Sequence, residues 1–450
     1  MDREECKNCP LLKRVEELEA KLNEALKRLE KYEKPEKNSG NSSLPSSTDK
    51  NKKFYSPRGK SNKKPGGQKG HKGYAKTLYD NPDKIVEVYP EKCIHCANDE
   101  FIRKENILEQ RQVIDIPQIK PFVIEYQQKT GICTKCGKRN VGKFPENVSP
   151  NVQIGGYTKA IIGYLNVQHH LSYGRLKQTL ADIFNFTISK GTIDNKIREL
   201  AKDLTPAYDN ILETISNSGL IGSDETGVRI DKENSYVWVF QNHQNTFFKT
   251  APRSFETIKE TIGEKFNGSW VSDRLGSQLM IKADHQLCLV HLIRDCKYII
   301  ESENSKWAKK LKKFFKKIIE FRKTRGEMYN PLAKWHFRQI QKFKSELQQI
   351  FDKSPPTKEA KKLYKSLLPR LPQLTHFLDK KEVPYDNNGS ERALRNRVIN
   401  RKVSGCFRSK VGAICHDKIS SVIETAKKRG LNILDTLTTP SILNQLLFQA

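Results

Sequence analysis

The spacing of apolar residues changes several times along the chain, and each change predicts a different element. Leu11, Val15, Leu18, Leu22, Ala25, Leu29 and Tyr32 alternate in steps of four and three. That is a heptad seam with Glu, Lys and Arg on the other faces, so residues 1–34 are expected to form a coiled-coil helix. The seam suits a dimerisation zipper or a helix packed on its own chain. Periodicity then stops. Lys37 to Ser47 has too few apolar residues to bury a core, and residues 35–76 are expected to be a flexible basic linker. Short β-type runs follow at Ile85 to Pro90, Val113 to Pro117 and Phe122 to Tyr126. They predict strands within a small module spanning residues 77–150.

Helical spacing returns over residues 151–216. Ala160, Ile161, Tyr164, Leu165 and Val167 form one apolar stripe, and Tyr173 to Leu180 forms the next helix. Ser189 is placed to cap a third helix starting at Lys190. Helix, short turn and capped helix outline a helix-turn-helix; plain bundles share that outline. From Asn217 the pattern turns mixed. Gly219 to Asp224, Ser235 to Gln241 and Thr246 to Thr250 read as strands, Phe255 to Ile262 as a helix, and Trp270 to Ser272 as a fourth strand. His285 to His291 is a fifth strand candidate. The order β-β-β-α-β predicts a ribonuclease H-like α/β catalytic core over residues 217–430. A helical insertion at about 292–380 interrupts it, and residues 431–450 form a C-terminal helical tail. The fold class expected is therefore multidomain α+β: coiled coil, zinc-binding β module, helix-turn-helix region and catalytic core.

Charge narrows the partner. Lys and Arg number 81 against 52 Asp and Glu, a net +29. Such an excess attracts a polyanion, and double-stranded DNA is the first choice. An acidic protein or a membrane surface would satisfy the same charge. From Asn51 to Ala75 there are eight Lys or Arg and no acid. Lys63, Lys64, Lys69 and Lys72 lie in a glycine-rich arm that can follow a phosphate backbone. A solvated linker would look similar. Residues 301–370 hold 20 Lys or Arg and 7 Asp or Glu, enough either to hold DNA or to solvate a bundle. No run of about 18 apolar residues exists, so no membrane-spanning helix is expected. The charged start Met1 to Cys6 does not read as a secretory signal. Together these predict a cytoplasmic, nucleoid-associated protein.

The ten cysteines then read as metal ligands rather than disulfides. Cys93-x-x-Cys96 and Cys133-x-x-Cys136 are two knuckles separated by 36 residues. Four thiolates suit a structural Zn²⁺. His95 is a weaker candidate inside the first knuckle. Cys6-x-x-Cys9 has no second pair nearby; two copies could share a metal across a dimer. Cys288-x-x-His291 shows only two ligands, which favours a packing or positioning role.

Three acids stand in settings that suit catalytic metal binding. Asp224 and Asp273 end apolar strands, and Glu391 opens a helix. Phosphodiester chemistry needs the attacking oxygen deprotonated and the leaving oxygen stabilised. Two Mg²⁺ (or Mn²⁺) ions roughly 3.5–4 Å apart do both, held by carboxylates. Rivals are weaker: Glu225 should point to the opposite face from Asp224, Asp386 suits the turn before Glu391, and Asp284 has no apolar strand before it. Arg395 falls one helical turn after Glu391, where it contacts a phosphate or pairs with Glu391; Arg401 continues the basic run.

The ordered motifs resemble bacterial transposases of the insertion sequence 66 family, of the DDE type. They are the Asn-Ser-Ser core within Lys37 to Ser47, Gly66-Gly67-Gln68-x-Gly70-His71, the two knuckles, Asp224-Glu225-Thr226, Val271-Ser272-Asp273-Arg274, Cys288-x-x-His291-Leu292-x-Arg294 and Asp386-Asn387-x-x-x-Glu391-Arg392. The resemblance implies a bacterial enzyme that cleaves and joins DNA at the element's terminal repeats with divalent metal. It carries Asp224, Asp273 and Glu391 as the triad. It also implies a homo-oligomer, target DNA as second substrate and, for some members, accessory element-encoded proteins. Leu289 departs from the aromatic residue usual after the motif cysteine, which bears on that motif's DNA-positioning role. A DNA-binding regulator without catalysis, or a metal-dependent nuclease without joining, are the alternatives.

Overall fold

The computed structural model describes residues 10–33, 35–38, 40–42, 70, 77–146, 148 and 152–443. The predicted zinc knuckles are included. The basic-arm residues Lys63, Lys64, Lys69 and Lys72, and Cys6 and Cys9, lie outside the described residues.

Helix α1 (Pro10–Glu33) carries the heptad seam, and Val15, Leu18 and Leu22 are exposed on it. The next stretch corrects an expectation. Residues 36–42 were expected to be flexible, yet Asn41 and Ser42 are buried. Asn38 and Asn41 fold the backbone into a local turn, and Asn41 Nδ2 donates to Glu301 Oε2 at 3.0 Å. A polar segment has thus found hydrogen-bond partners in place of an apolar core.

Residues 77–146 hold one two-stranded antiparallel hairpin, β1 (Thr130–Ile132) and β2 (Arg139–Val141). The strands expected at 85–90, 113–117 and 122–126 do not form. Val88, Val113 and Phe122 are almost fully exposed there. A strand needs both a pairing neighbour and a surface to bury its side chains, and these runs have neither.

Four helices follow: α2 (Gly156–Val167), α3 (Tyr173–Phe184), α4 (Lys190–Asp203) and α5 (Thr205–Ser216). Ser189 caps α4 as predicted, accepting from the Thr192 N–H at 3.0 Å. The sheet comprises β3 (Leu220–Ile230), β4 (Glu233–Gln241) and β5 (Thr246–Ala251), then α6 (Phe255–Thr261), β6 (Lys265–Ser272) and β7 (Lys282–Leu287). Its order is β5-β4-β3-β6-β7. Strand β4 runs antiparallel to β3 and β5, while β6 and β7 run parallel to β3. Asp231 and Lys232 both take positive φ, the geometry of a two-residue hairpin turn that matches strand twist.

Helices follow β7: α7 (Leu289–Glu303), α8 (Lys306–Arg325), α9 (Lys334–Phe351) and α10 (Lys358–Leu367), then short 3₁₀ turns to Leu378. The chain returns through α11 (Asn388–Ser404), α12 (Lys410–Lys428) and α13 (Ile433–Thr438). One correction concerns the fifth strand. It ends at Leu287, and Cys288 and His291 open α7 instead of ending a strand. The Leu289 N–H donates to the Tyr385 carbonyl at 2.9 Å, a contact that favours the helix start.

The sheet buries both faces. Ile221, Trp238, Phe240, Phe247 and Trp270 form one cluster with α2 to α5 and α12. Val228, Val237, Val239 and Phe248 pack against Ala393 and Leu394 of α11. Edge strand β5 is closed by one face of α12. Asp417, Ser421 and Thr425, one helical turn apart, accept from the N–H groups of Thr250, Phe248 and Thr246. Arg397 forms a buried ion pair with Asp417, tying α11 to α12. Among the described residues no helix is long and apolar enough to cross a membrane.

Candidate active site

Strand register brings the first two acids together. Strands β3 and β6 pair with Leu220 opposite Ser269, Ile221 opposite Trp270 and Gly222 opposite Val271. Continued along the chain, that register sets Asp224 against Asp273, just beyond the last residue of β6. Side chains alternate along a strand, so Asp224 shares a face with Val228, which touches α11. Asp273 shares a face with Val271, which packs against Leu287, Leu289 and Leu292. Both carboxylates therefore point to the side where α7 and α11 meet the sheet.

The start of α11 brings Glu391 to them. Asn387 Nδ2 donates to the Ser223 carbonyl at 2.8 Å, and the Asn387 N–H donates to Cys288 Sγ at 3.3 Å. One residue thus clamps the helix start to β3 and to α7. Close approach needs two glycines. A Cβ on Gly222 would lie 2.4 Å from Gln241 Nε2 and 2.9 Å from Ser390 Oγ, and one on Gly389 would lie 2.8 Å from Gln241 Nε2. Gln241 is held from behind, its Oε1 accepting from Lys428 Nζ at 2.6 Å. Burial pushes the Lys428 pKa down to about 8. Glu391 lies in the first turn of α11.

His291 sits between two of the acids. Its Nδ1 is 2.9 Å from Asp273 Oδ1, and its Nε2 is 3.6 Å from Glu391 Oε1. Neither contact is a formed hydrogen bond, the Glu391 one being too long: Asp273 Oδ1, His291 Nδ1 and Glu391 Oε1 are buried without a hydrogen-bond partner. Burial opposes charge on His291, but Asp273 and Cys288 outweigh it and push its pKa up to about 11. Burial, then the charges of Asp273 and Glu225 and more weakly Glu391, hold the Asp224 carboxyl well above the usual carboxylate range. Asp273 Oδ1, Cys288 Sγ and a ring nitrogen of His291 lie within 4.8 Å of one another.

The rival acids are occupied elsewhere. Glu225 points away from Asp224 and binds Arg253 at 2.7 Å and Gln278 at 2.8 Å. Asp386 accepts from the Asn388 backbone and side chain at 3.1 and 2.8 Å, bracing the turn into α11. Asp284 pairs with Lys380 at 3.0 Å. Arg395 is exposed, whereas Arg401 donates to the Thr226 hydroxyl and the Gly227 carbonyl.

The knuckles share one turn. The Cys93 N–H donates to Asn98 O and the Ala97 N–H to Cys93 O, at 2.7 and 2.8 Å. Cys133, Lys138 and Gly137 repeat the pattern at 2.9 and 2.8 Å. Ala97 and Gly137 both take positive φ. Neighbouring backbone N–H groups and the paired thiol lower the Cys93 and Cys133 pKa values. The structure does not gather the four sulfurs at one point.

Several site residues were missed or undervalued in the sequence. The Cys-x-x-His spacing flagged His291, but nothing local showed that Asp273 and Glu391 flank it. Asn387 appeared only as part of the Asp386-Asn387-x-x-x-Glu391 motif, without its clamping role, and Gln241 and Lys428 carried no signal, because their partners lie far away in sequence.

Comparisons with known proteins place the chain in a family. The family described as Transposase IS66 family matches residues 152–414, and a family of unknown function (DUF6444) matches residues 5–77. The uncharacterized protein y4jO of Sinorhizobium fredii (strain NBRC 101917 / NGR234) is 31% identical over 90 residues, 20% of this chain and 28% of that protein. The chain thus spans under a third of that relative's length. The family match covers more than half of the chain and brackets all three acids; the chain belongs to the transposase IS66 family.

Proposed function

We propose that this chain is a DDE transposase that binds the ends of an insertion sequence and catalyses metal-dependent DNA strand cleavage and strand transfer. The convergence of Asp224, Asp273 and Glu391 from β3, β6 and α11 carries the reading. The strand order, with β4 antiparallel to its neighbours, supports a ribonuclease H-like core.

The acids fit a hard divalent cation. Asp273 Oδ1 and Glu391 Oε1 are buried oxygens without donors, and Asp224 is crowded by like charge. Oxygen ligands of this kind suit Mg²⁺ or Mn²⁺. When bound, such ions stabilise the attacking and leaving oxygens of a phosphodiester. The chain's own residues set the geometry. Asn387 and the contact at Gly222 orient Glu391, His291 steadies Asp273, and exposed Arg395 offers its charge to a flanking phosphate.

The remaining modules complete the proposal within the boundaries predicted above. The exposed seam of α1 supports a coiled-coil dimer. The matching knuckle turns support a structural Zn²⁺ at Cys93, Cys96, Cys133 and Cys136, which requires the two knuckles to close on each other. Helices α3 and α4 with the Ser189 cap support a DNA-reading helix pair.

The test is a cleavage-and-joining assay on double-stranded element ends with Mg²⁺. Cut and joined products support the transposase. Cut ends without joined product indicate a nuclease, and binding alone a regulator. Asp224→Asn, Asp273→Asn and Glu391→Gln should each abolish both products while DNA binding survives.

A further inference from the structure

We propose that Asp273, Cys288 and His291 form a second metal site, selective for a thiophilic divalent ion such as Zn²⁺ or Co²⁺, adjoining the oxygen-donor site. Its ligand atoms lie within 4.8 Å of one another. Asp273 Oδ1 and His291 Nδ1 are buried, 2.9 Å apart and without hydrogen bonds. In a tetrahedral zinc site with bonds near 2.1 Å, neighbouring ligand atoms lie about 3.4 Å apart, so the Asp273–His291 pair must open by about half an ångström to admit the ion.

Cys288 is 2% exposed and occupies the N-cap position of α7, where its side chain makes no capping bond. The Asn387 N–H already points at its sulfur from 3.3 Å. Binding releases two protons to solvent, one from the Cys288 thiol and one from the His291 ring, and leaves Cys⁻, Asp⁻ and neutral His around a dication, a set with no net charge. Magnesium prefers oxygen throughout, so the sulfur discriminates against it. The side chain of Asp273 remains 29% exposed, which leaves an open side for water as fourth ligand.

Asp273 then belongs to both sites. A zinc or cobalt ion held by Cys288 and His291 withdraws Asp273 from the oxygen-donor site and inhibits cleavage. That consequence rests on the transposase reading; the binding itself does not.

The experiment titrates metal-stripped, full-length protein with Co²⁺ and records absorption. Wild type should bind one cobalt equivalent more than Cys288→Ser or His291→Gln, and the missing spectrum should carry a single thiolate-to-cobalt charge-transfer contribution. The knuckle cysteines are intact in all three proteins and cancel in the difference. Equal equivalents and equal spectra in folded proteins overturn the proposal. If neither variant folds, alkylation of Cys288 in native wild type decides: zinc should slow it several-fold, and an unchanged rate overturns the site. A parallel Mg²⁺ cleavage assay on wild type separates the two readings. Loss of cleavage with the cobalt difference intact removes the transposase reading and leaves the metal site standing.

Discussion

Replacing Gly222 by Ala should disable the site without touching any of its acids. Gly222 takes no positive φ, so the penalty is steric rather than conformational. The new Cβ would meet Gln241 Nε2 at 2.4 Å and Ser390 Oγ at 2.9 Å. Ordinary contact begins near 3.5 Å, so the gap must open by about 1 Å towards Gln241 and about 0.6 Å towards Ser390. Gln241 cannot swing away freely, because Lys428 Nζ depends on its Oε1 along with two backbone carbonyls. The serine side chain is short, so relief on that side moves the start of α11 and Glu391 with it. Overpacking of this kind costs about 1–3 kcal/mol. For a unit of this size that is about 2–12 °C in Tm. A misplacement of about 1 Å costs roughly 100-fold in rate. Thermal unfolding should therefore show a modest loss and the cleavage assay a large one. Gly276→Ala, whose Cβ meets nothing within 4 Å, should change neither. Adding Gln241→Ala to Gly222→Ala should recover part of the lost stability, which a double-mutant cycle measures. Wild-type cleavage by Gly222→Ala would refute the claim that close packing of α11 sets Glu391.

The other expectations are as direct. Mg²⁺ should raise the Tm of wild type, by about 2.7 kcal/mol of linkage at one hundred times Kd, and should not raise that of Asp224→Asn. Without metal, Asp224→Asn should be at least as stable as wild type, because it removes a crowded charge. Metal analysis should find about one zinc held by the knuckles, and Cys133→Ser should release it and expose residues 85–145 to protease; a metal-free wild type with the same protection would end the zinc proposal. Deleting residues 1–34 should lower the mass in sedimentation, and an unchanged distribution would exclude the zipper.

Local pattern made much of the core readable. The apolar runs before Asp224 and Asp273 gave their strands, and the Ser189 cap appeared where the sequence placed it. The opposite facings of Asp224 and Glu225 followed from strand alternation alone. What was misread depended on partners. Leu287-Cys288-Leu289 is apolar in either a strand or a helix, and the Leu289–Tyr385 contact breaks the tie. The runs at 85–90, 113–117 and 122–126 look like strands but have no neighbour. The turn at Asn38 and Asn41 looked like linker because polar docking leaves no apolar signature, and its partner Glu301 lies 260 residues from Asn41. His291 was undervalued for the same reason: its meaning lies in Asp273 and Glu391.

The basic insertion offers the last test, because its groove borders the site. Lys313, Lys316, Lys317 and Lys323 of α8 line a groove of about 730 Å³ that reaches Asp386 and Asn388. Lys317 is paired with Glu346 at 2.7 Å, whereas Lys313 and Lys316 have no carboxylate partner among the described residues. Lys323 stands over the Tyr385 ring. From Lys313 to Lys323 the helix rises about 15 Å, which matches about four nucleotide steps at 3.4 Å each. Exposed lysines in such a row either solvate a bundle or follow a phosphate backbone. The two roles differ in salt dependence. If Lys313, Lys316 and Lys323 each neutralise a phosphate, changing all three to Ala should lower the slope of log K against log salt by about 2.7. Binding should weaken alike for all sequences, and Tm should hardly move because all three side chains are exposed. Cleavage should fall with binding, since the groove ends at the turn that leads into α11 and Glu391. An unchanged slope would make these lysines a solvated face, and loss of preference for element ends would make them base readers.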